Sequence, residues 1–321
     1  GAELLLQDAK YQNTHFHIFG NQDTVKPLID KCVKLKEKHT FFNTRNEVSA
    51  DEKPSNALRN CKESSMYRSV LALKDNSVDA VVSAGNTGAL MAISTIVLRT
   101  LPQINRPAII ATIPTVKGKT VILDLGANVE SNATNLFQFA IMGDAFARIT
   151  LGISNPRISL LNIGSEEMKG KDSIKLAHSM LKDSSLPINF HGYIEGNEIA
   201  DGVADVVVTD GFTGNVVLKT MSGNVKIYSH FLKKAFGHNI FTKIKYLISK
   251  SVLKIFAKSL DHRHYNGAMF IGINGIVVKS HGSMDRVGIC NAIKVACALS
   301  TNNINDRIAS ELKESQALDL N

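Results

Sequence analysis

Short, nearly continuous apolar runs alternate along this chain with longer stretches of helical spacing. Val78–Ser83, Ala108–Thr112, Val121–Leu125, Ile158–Ile163 and Val206–Thr209 read as strands buried on both faces, as in a covered parallel sheet. Between them, Ser64–Leu73, Gly88–Leu98, Thr134–Thr150 and Ser173–Leu181 carry apolar residues at helical intervals. The repeating βα order predicts a Rossmann-like, doubly wound α/β/α sandwich with a mostly parallel sheet. Near the end, glycine-rich Gly267–Lys279 predicts a hairpin or buried strand pair, and Ser283–Leu299 a helix. No repeat or low-complexity linker divides the chain, so residues 1–321 are expected to form a single α/β domain.

Phe231–Leu260 breaks the pattern. It holds Lys233, Lys234, Lys243, Lys245, Lys250, Lys254 and Lys258 and no acid. Ile240, Phe241, Ile244, Leu247, Ile248 and Phe256 supply the apolar side of a basic amphipathic helical insertion at about 231–260. Such a face suits a dimer interface or an anionic lipid surface.

Composition narrows the partners. The 321 residues are 44% hydrophobic with mean hydropathy near zero, ordinary for a globular protein. No run approaches the roughly 20 apolar residues of a spanning helix, and residues 1–30 lack a secretory pattern, so a cytoplasmic protein is expected. Lys and Arg total 37 against 29 acids, a net charge of +8 that favours acidic or phosphorylated partners. Nucleic acid is disfavoured, because aromatics are 6% and Trp is absent. The cysteines, Cys32, Cys61, Cys290 and Cys297, show no CxxC spacing. Neither a disulfide framework nor a metal site is expected.

Candidate chemistry gathers where strands end. Ser83-Ala84-Gly85-Asn86-Thr87-Gly88, Leu123-Asp124-Leu125-Gly126-Ala127-Asn128, Asn162-Ile163-Gly164-Ser165 and Asp210-Gly211-Phe212-Thr213-Gly214-Asn215 all pass from a strand through Gly, Asn or Thr. Ligands of open parallel sheets bind beyond the carboxyl ends of the strands. Glycine there admits close approach, and helix N-termini aim N–H groups at anions. Four such loops on one edge are expected to bind phosphate or a developing oxyanion through Asn86, Thr87, Gly88, Asn128, Gly164 and Asn215. The same residue types also cap helices and make turns. No GxSxG, HExxH, P-loop or strand-linked GxGxxG is present, so no cofactor is expected. Ser280-His281-Gly282-Ser283 lies between an apolar strand and a helix and marks His281 among ten histidines.

Taken together these segments resemble the phosphate acyltransferase (PlsX) family. Further matching segments are Asp51-Glu52-Lys53-Pro54, Ala57-Leu58-Arg59, Ser64-Ser65-Met66, Glu195-Gly196, Asp201-Gly202-Val203-Ala204-Asp205, Gly267-Ala268 and His281-Gly282, in order along the chain. The resemblance implies a bacterial homodimer with a fold similar to phosphotransacetylases and isopropylmalate dehydrogenases. It implies reversible transfer of a long-chain acyl group from acyl carrier protein thioester to inorganic phosphate for phospholipid synthesis, with a peripheral contact at the inner membrane face. It also implies a preceding strand and Asp-Ala-Met-Gly-Gly-Asp loop, since this chain opens at Gly1-Ala2-Glu3-Leu4 within the following helix, and an acid where Ser165 stands.

That chemistry needs a held dianion and a stabilised oxyanion, with direct attack and no acyl-enzyme. Lys219, one turn beyond Asn215, either reaches the site or faces solvent. Asp210 and Asp124 either orient a donor and accept a proton or brace their loops. His281 is expected to protonate the leaving thiolate. The alternatives are a phosphotransacetylase using short acyl-CoA and, from another class, a nonenzymatic lipid- or nucleic-acid-binding protein. A decarboxylating dehydrogenase would need aspartate and arginine clusters that the chain lacks.

Overall fold

The computed structural model describes residues 1–237, Ser249 and 261–318. Ile240, Phe241, Ile244, Leu247, Ile248 and Phe256, and most of the expected insertion, lie outside the described residues.

Ten strands form two sheets. β1 (Phe16–Gly20) and β2 (His39–Asn43) make a parallel pair, with Phe19 stacked on Phe42 at 4.8 Å. The main sheet contains β3 (Val81–Ser83), β4 (Ala108–Thr115), β5 (Gly118–Leu123), β6 (Arg157–Leu161), β7 (Asn189–Ile194), β8 (Val206–Val208), β9 (Ala268–Ile271) and β10 (Val277–Lys279). Its spatial order is β3-β10-β9-β4-β5-β8-β6-β7. Parallel pairing predominates, but β9 runs antiparallel to β10 and β4, and β4 and β5 form a hairpin closing at Thr115 and Gly118. Therefore β3, β10 and β4 point one way, and β9, β5, β8, β6 and β7 the other.

Helices cover both faces. One face carries α6 (Ala133–Leu151), α7 (Asp172–Lys182), α10 (Arg286–Thr301) and α11 (Ile304–Leu318), packed on Val121, Leu123, Ile158 and Val206. The other carries α3 (Pro54–Asn60), α4 (Ser65–Lys74) and α5 (Thr87–Leu98) over the β3 side, and α8 (Gly196–Asp201) and α9 (Gly211–Gly237) over the β5 side. Two short helices, α1 (Ala2–Leu5) and α2 (Gln22–Ile29), complete the set.

Local chemistry sets these boundaries. Ser64, Asn86 and Asn132 each accept a first-turn N–H, at Tyr67, Ala89 and Asn135, and so begin α4, α5 and α6. Gly152, with φ 70°, ends α6 in the left-handed conformation that glycine adopts without penalty. Within α6, Phe139 and Phe146 are wholly buried, each worth about 1.5–3 kcal/mol of burial.

Arg157 pins β6 to β8. Its backbone N–H donates to Asp205 Oδ2 at 2.8 Å, and its guanidinium reaches both carboxylate oxygens at 3.0 Å. Burial opposes ionisation of Asp205, but the Arg157 bonds outweigh it and hold the carboxyl below its usual range. A depressed carboxyl stabilises the fold above its unfolded pKa of about 3.9, and that contribution is lost as pH falls through the folded value. Asp205→Asn is thus expected to be less stable at neutral pH and to lose less stability than the parent below about pH 4, as read by urea melts across that range.

Candidate functional site

The loop after β5 is built around one carboxylate. Asp124 is fully buried. Its Oδ1 accepts from the N–H groups of Ile109, Gly126 and Ala127, and its Oδ2 from the backbone and side-chain amides of Asn128, at 2.7–3.0 Å. The start of α9 lies directly on this loop. Gly211 N–H donates to the Asn128 carbonyl at 2.8 Å, and a Cβ on Gly211 or Gly214 would overlap the carbonyl oxygens of Asn128 or Asp124. Glycine at these two positions is therefore a requirement of close approach.

Asp210 begins α9. Its Oδ1 accepts the Thr213 N–H at 2.8 Å, and its Oδ2 meets Lys171 Nζ at 2.8 Å. Burial again works against the charge, but the bonds from Lys171 and Thr213 hold the Asp210 carboxyl below its usual range. The same contact holds the Lys171 ammonium above its ordinary value.

These loops enclose a cleft of ≈ 860 Å³ whose lining includes Arg106, Asn128, Ser131, Asn135, Lys171 and Asp210. Arg106 is exposed and joins no ion pair among the described residues. The buried Ser131 hydroxyl oxygen has no hydrogen-bond partner among them. Both acids that support the cleft are satisfied by internal donors, so its free groups are cations and neutral polar atoms. That balance attracts an anion.

The expected site residues divide. Asn128 lines the cleft, but its amide donates to the Pro107 carbonyl at 2.8 Å and to Asp124, so it braces the loop and is no free donor. Asn215 is exposed beside Gly126, and no hydrogen bond among the described residues uses its side chain. Lys219 is exposed one turn further along α9. Gly164 is buried in a turn where its carbonyl accepts the Asn162 amide at 3.2 Å.

The remainder lie elsewhere. Asn86 uses its carbonyl to cap α5 and its amide to hold the carbonyls of Ala50 and Glu52, each at 2.9 Å. Thr87 and Gly88 are exposed in the first turn of α5. His281 is exposed, and its Nδ1 accepts the Ser283 N–H at 3.2 Å, which leaves Nε2 to carry the proton of the neutral ring. Asn266 fixes this loop by accepting the His281 N–H at 3.0 Å.

A single edge for all four loops is therefore corrected. Lys279 lies opposite Ala268, Ile271 opposite Ala108, and Leu123 opposite Ile110. The ends of β3 and β10, carrying Asn86–Gly88 and His281, stand on one edge. The ends of β5, β8 and β6, carrying Asn128, Asp210, Asn215 and Gly164, stand on the other. The physical cause is the antiparallel β9 and the β4–β5 hairpin, which reverse strand direction midway. Lys171, Arg106 and Ser131 were not singled out in the sequence. The available signal for Lys171 was its position after a candidate strand and just before a helix start.

A family model described as "Fatty acid synthesis protein" matches residues 2–307. The phosphate acyltransferase of Paramagnetospirillum magneticum is 49% identical over 299 residues, covering 93% of this chain and 85% of the relative. That of Ehrlichia canis is 47% identical over 302 residues, covering 94% and 90%. Among solved structures, the EutD phosphotransacetylase from Staphylococcus aureus matches with TM-score 0.55 at 13% identity, covering 94% of this chain and 91% of that one. A phosphotransacetylase from Streptococcus pyogenes gives 0.55 at 14%, covering 94% and 99%. At these identities the structural likeness is one of fold. The sequence match runs through nearly the whole chain, from the loop after β3 to α10, and by it the chain belongs to the phosphate acyltransferase (PlsX) family and is an acyltransferase of fatty-acid and phospholipid synthesis.

Proposed function

We propose that the enzyme, working as a homodimer, moves a long-chain acyl group from acyl carrier protein thioester to inorganic phosphate by direct attack. The observation that carries this reading is the cleft in which Arg106 and Lys171 remain available to an anion while Asp124 and Asp210 are satisfied internally. Arg106 and Lys171 hold the phosphate dianion, and Asp210 positions Lys171. A phosphate oxygen attacks the carbonyl carbon, the Asn215 amide donates to the developing oxyanion, and the carbon–sulfur bond then breaks. The hydrogen of HPO₄²⁻ ends on the thiol, with His281 as the relay and the first-turn N–H groups of Thr87 and Gly88 supporting the charge. Lys219 adds positive potential one turn from Asn215.

Thiol release from palmitoyl-acyl carrier protein, with and without phosphate and with hydroxylamine trapping, tests the reaction. Phosphate-dependent release giving hydroxamate supports it; turnover of acetyl-CoA alone would favour a phosphotransacetylase. Lys171→Ala is expected to raise the KM for phosphate by about tenfold or more, the worth of one charge-assisted hydrogen bond. An unchanged KM would remove Lys171 from the phosphate site.

Among the described residues no helix is long and apolar enough to cross a membrane. We assign the peripheral contact with the inner membrane face to the basic apolar stretch containing Ile240, Phe241 and Phe256, acting from the cytoplasmic side. Liposome flotation that survives Phe241→Gln with Phe256→Gln would argue against that assignment.

A further inference from the structure

The two groups of polar residues face away from each other in one chain, yet the proposed transfer uses both. Helix α9 supplies the geometry that reunites them. It begins at Asp210, on the cleft edge, and its 27 residues span about 40 Å. The six-residue β5 beneath it spans about 20 Å. Val217, Leu218 and Met221 pack α9 onto the sheet. Having crossed the sheet, its later turns reach toward and past the His281 edge.

A second apolar face of α9 is uncovered. Phe212, Val216, Ile227 and Phe231 are 64%, 48%, 50% and 60% exposed. At 100° per residue they fall within about one third of the helix circumference, with Thr220 and Gly223 between them, and well away from the face that meets the sheet. Asn215 and Lys219 flank this stripe. A contiguous apolar stripe of this kind marks an interaction surface.

We propose that the stripe pairs with the same stripe of a second copy, and that the active site is composite across the two chains. A two-fold axis makes a self-complementary contact between identical helices antiparallel. The start of α9 in one chain then lies beside the far end of α9 in the other. Since α9 runs from the cleft edge to the His281 edge, the antiparallel pair sets Asn215 and the cleft of one chain toward His281 and the α5 N-terminus of the partner. The same operation builds the second, equivalent site. This inference rests on the roles assigned above to Asn215 and His281.

Complementation tests it separately from those roles. Asn215→Ala and His281→Gln chains, co-expressed with different tags and purified through both, give heterodimers. A composite site leaves one site intact and puts both lesions in the other, so the expected turnover is roughly half that of the parent. A site built within one chain leaves one lesion in each site, and turnover no better than the single variants would overturn the inference. Phe231→Asp is the second measurement. The expected result is a folded monomer by light scattering whose turnover falls at least about tenfold; a monomer with parental turnover, or a variant that stays dimeric, would overturn it. If either single variant keeps full turnover, the role of that residue fails, and the Phe231→Asp result decides the composite site.

Discussion

Replacing Asn215 with alanine is expected to lower kcat by roughly 10²–10³-fold, the usual effect of removing one positioned oxyanion donor. The side-chain amide is exposed, makes no hydrogen bond among the described residues, and stands beside Gly126 at the mouth of the cleft. Nothing in the fold needs it, so thermal unfolding of the variant should follow the parent. Asn215→Asp preserves shape but sets a carboxylate near the phosphate dianion, and should be at least as slow. Rate and binding separate the roles. An oxyanion donor acts in the transition state and lowers kcat with little change in the KM for either substrate, whereas a ground-state contact would raise KM with kcat retained. The second outcome would move Asn215 from the reacting centre to substrate binding.

Asp124→Ala should destabilise the protein by about 4 kcal/mol or more, because hydrogen bonds to a charged group contribute roughly 1.5–3 kcal/mol each and several buried donors lose their acceptor together. The Asp124 carboxylate ties Ile109 of β4 to the loop that follows β5, and that loop is the floor on which Gly211 and Gly214 of α9 rest. Its loss should also loosen the cleft wall that holds Asn128. In a chain of this size a drop of that order lowers Tm by roughly 8–15 °C. Asp124→Asn retains part of the acceptor set and should lie between. Calorimetry with the three proteins at one concentration checks the order, and an Asp124→Ala protein that melts with the parent would mean that water replaces the carboxylate.

The strands in the middle of the chain were legible because each is covered on both faces. Ala108, Val121, Ile158 and Val206 begin or lie in runs whose alternate residues enter opposite cores. The half-exposed β1, β2 and β7 mix His, Asn, Thr and aromatic residues and carry no such signal. Strand direction was the harder quantity. Ile109 and Phe270 are apolar whichever way β4 and β9 run, so the pattern fixes burial and is silent on polarity of the chain. The loops at the strand ends were correctly marked as polar and glycine-rich, but their sorting between two edges was not available. Lys171 was missed because a loop lysine has the same appearance whether it is solvated or paired to Asp210. Asn86 and Asn128 were recognised as donors, and only three dimensions show that their amides are already engaged.

The midway reversal of the sheet also shapes the electric field of the molecule. Each helix carries partial positive charge at its N-terminus. The N-termini of α6, α7 and α9 open on the cleft edge, and those of α5 and α10 on the other. A sheet with all strands aligned would have a positive end and a negative end and would draw an anion from one side. Here both ends are positive, on a chain whose net charge is +8. A polyanionic ligand therefore meets an attractive approach from either end, and its capture should speed up as ionic strength falls.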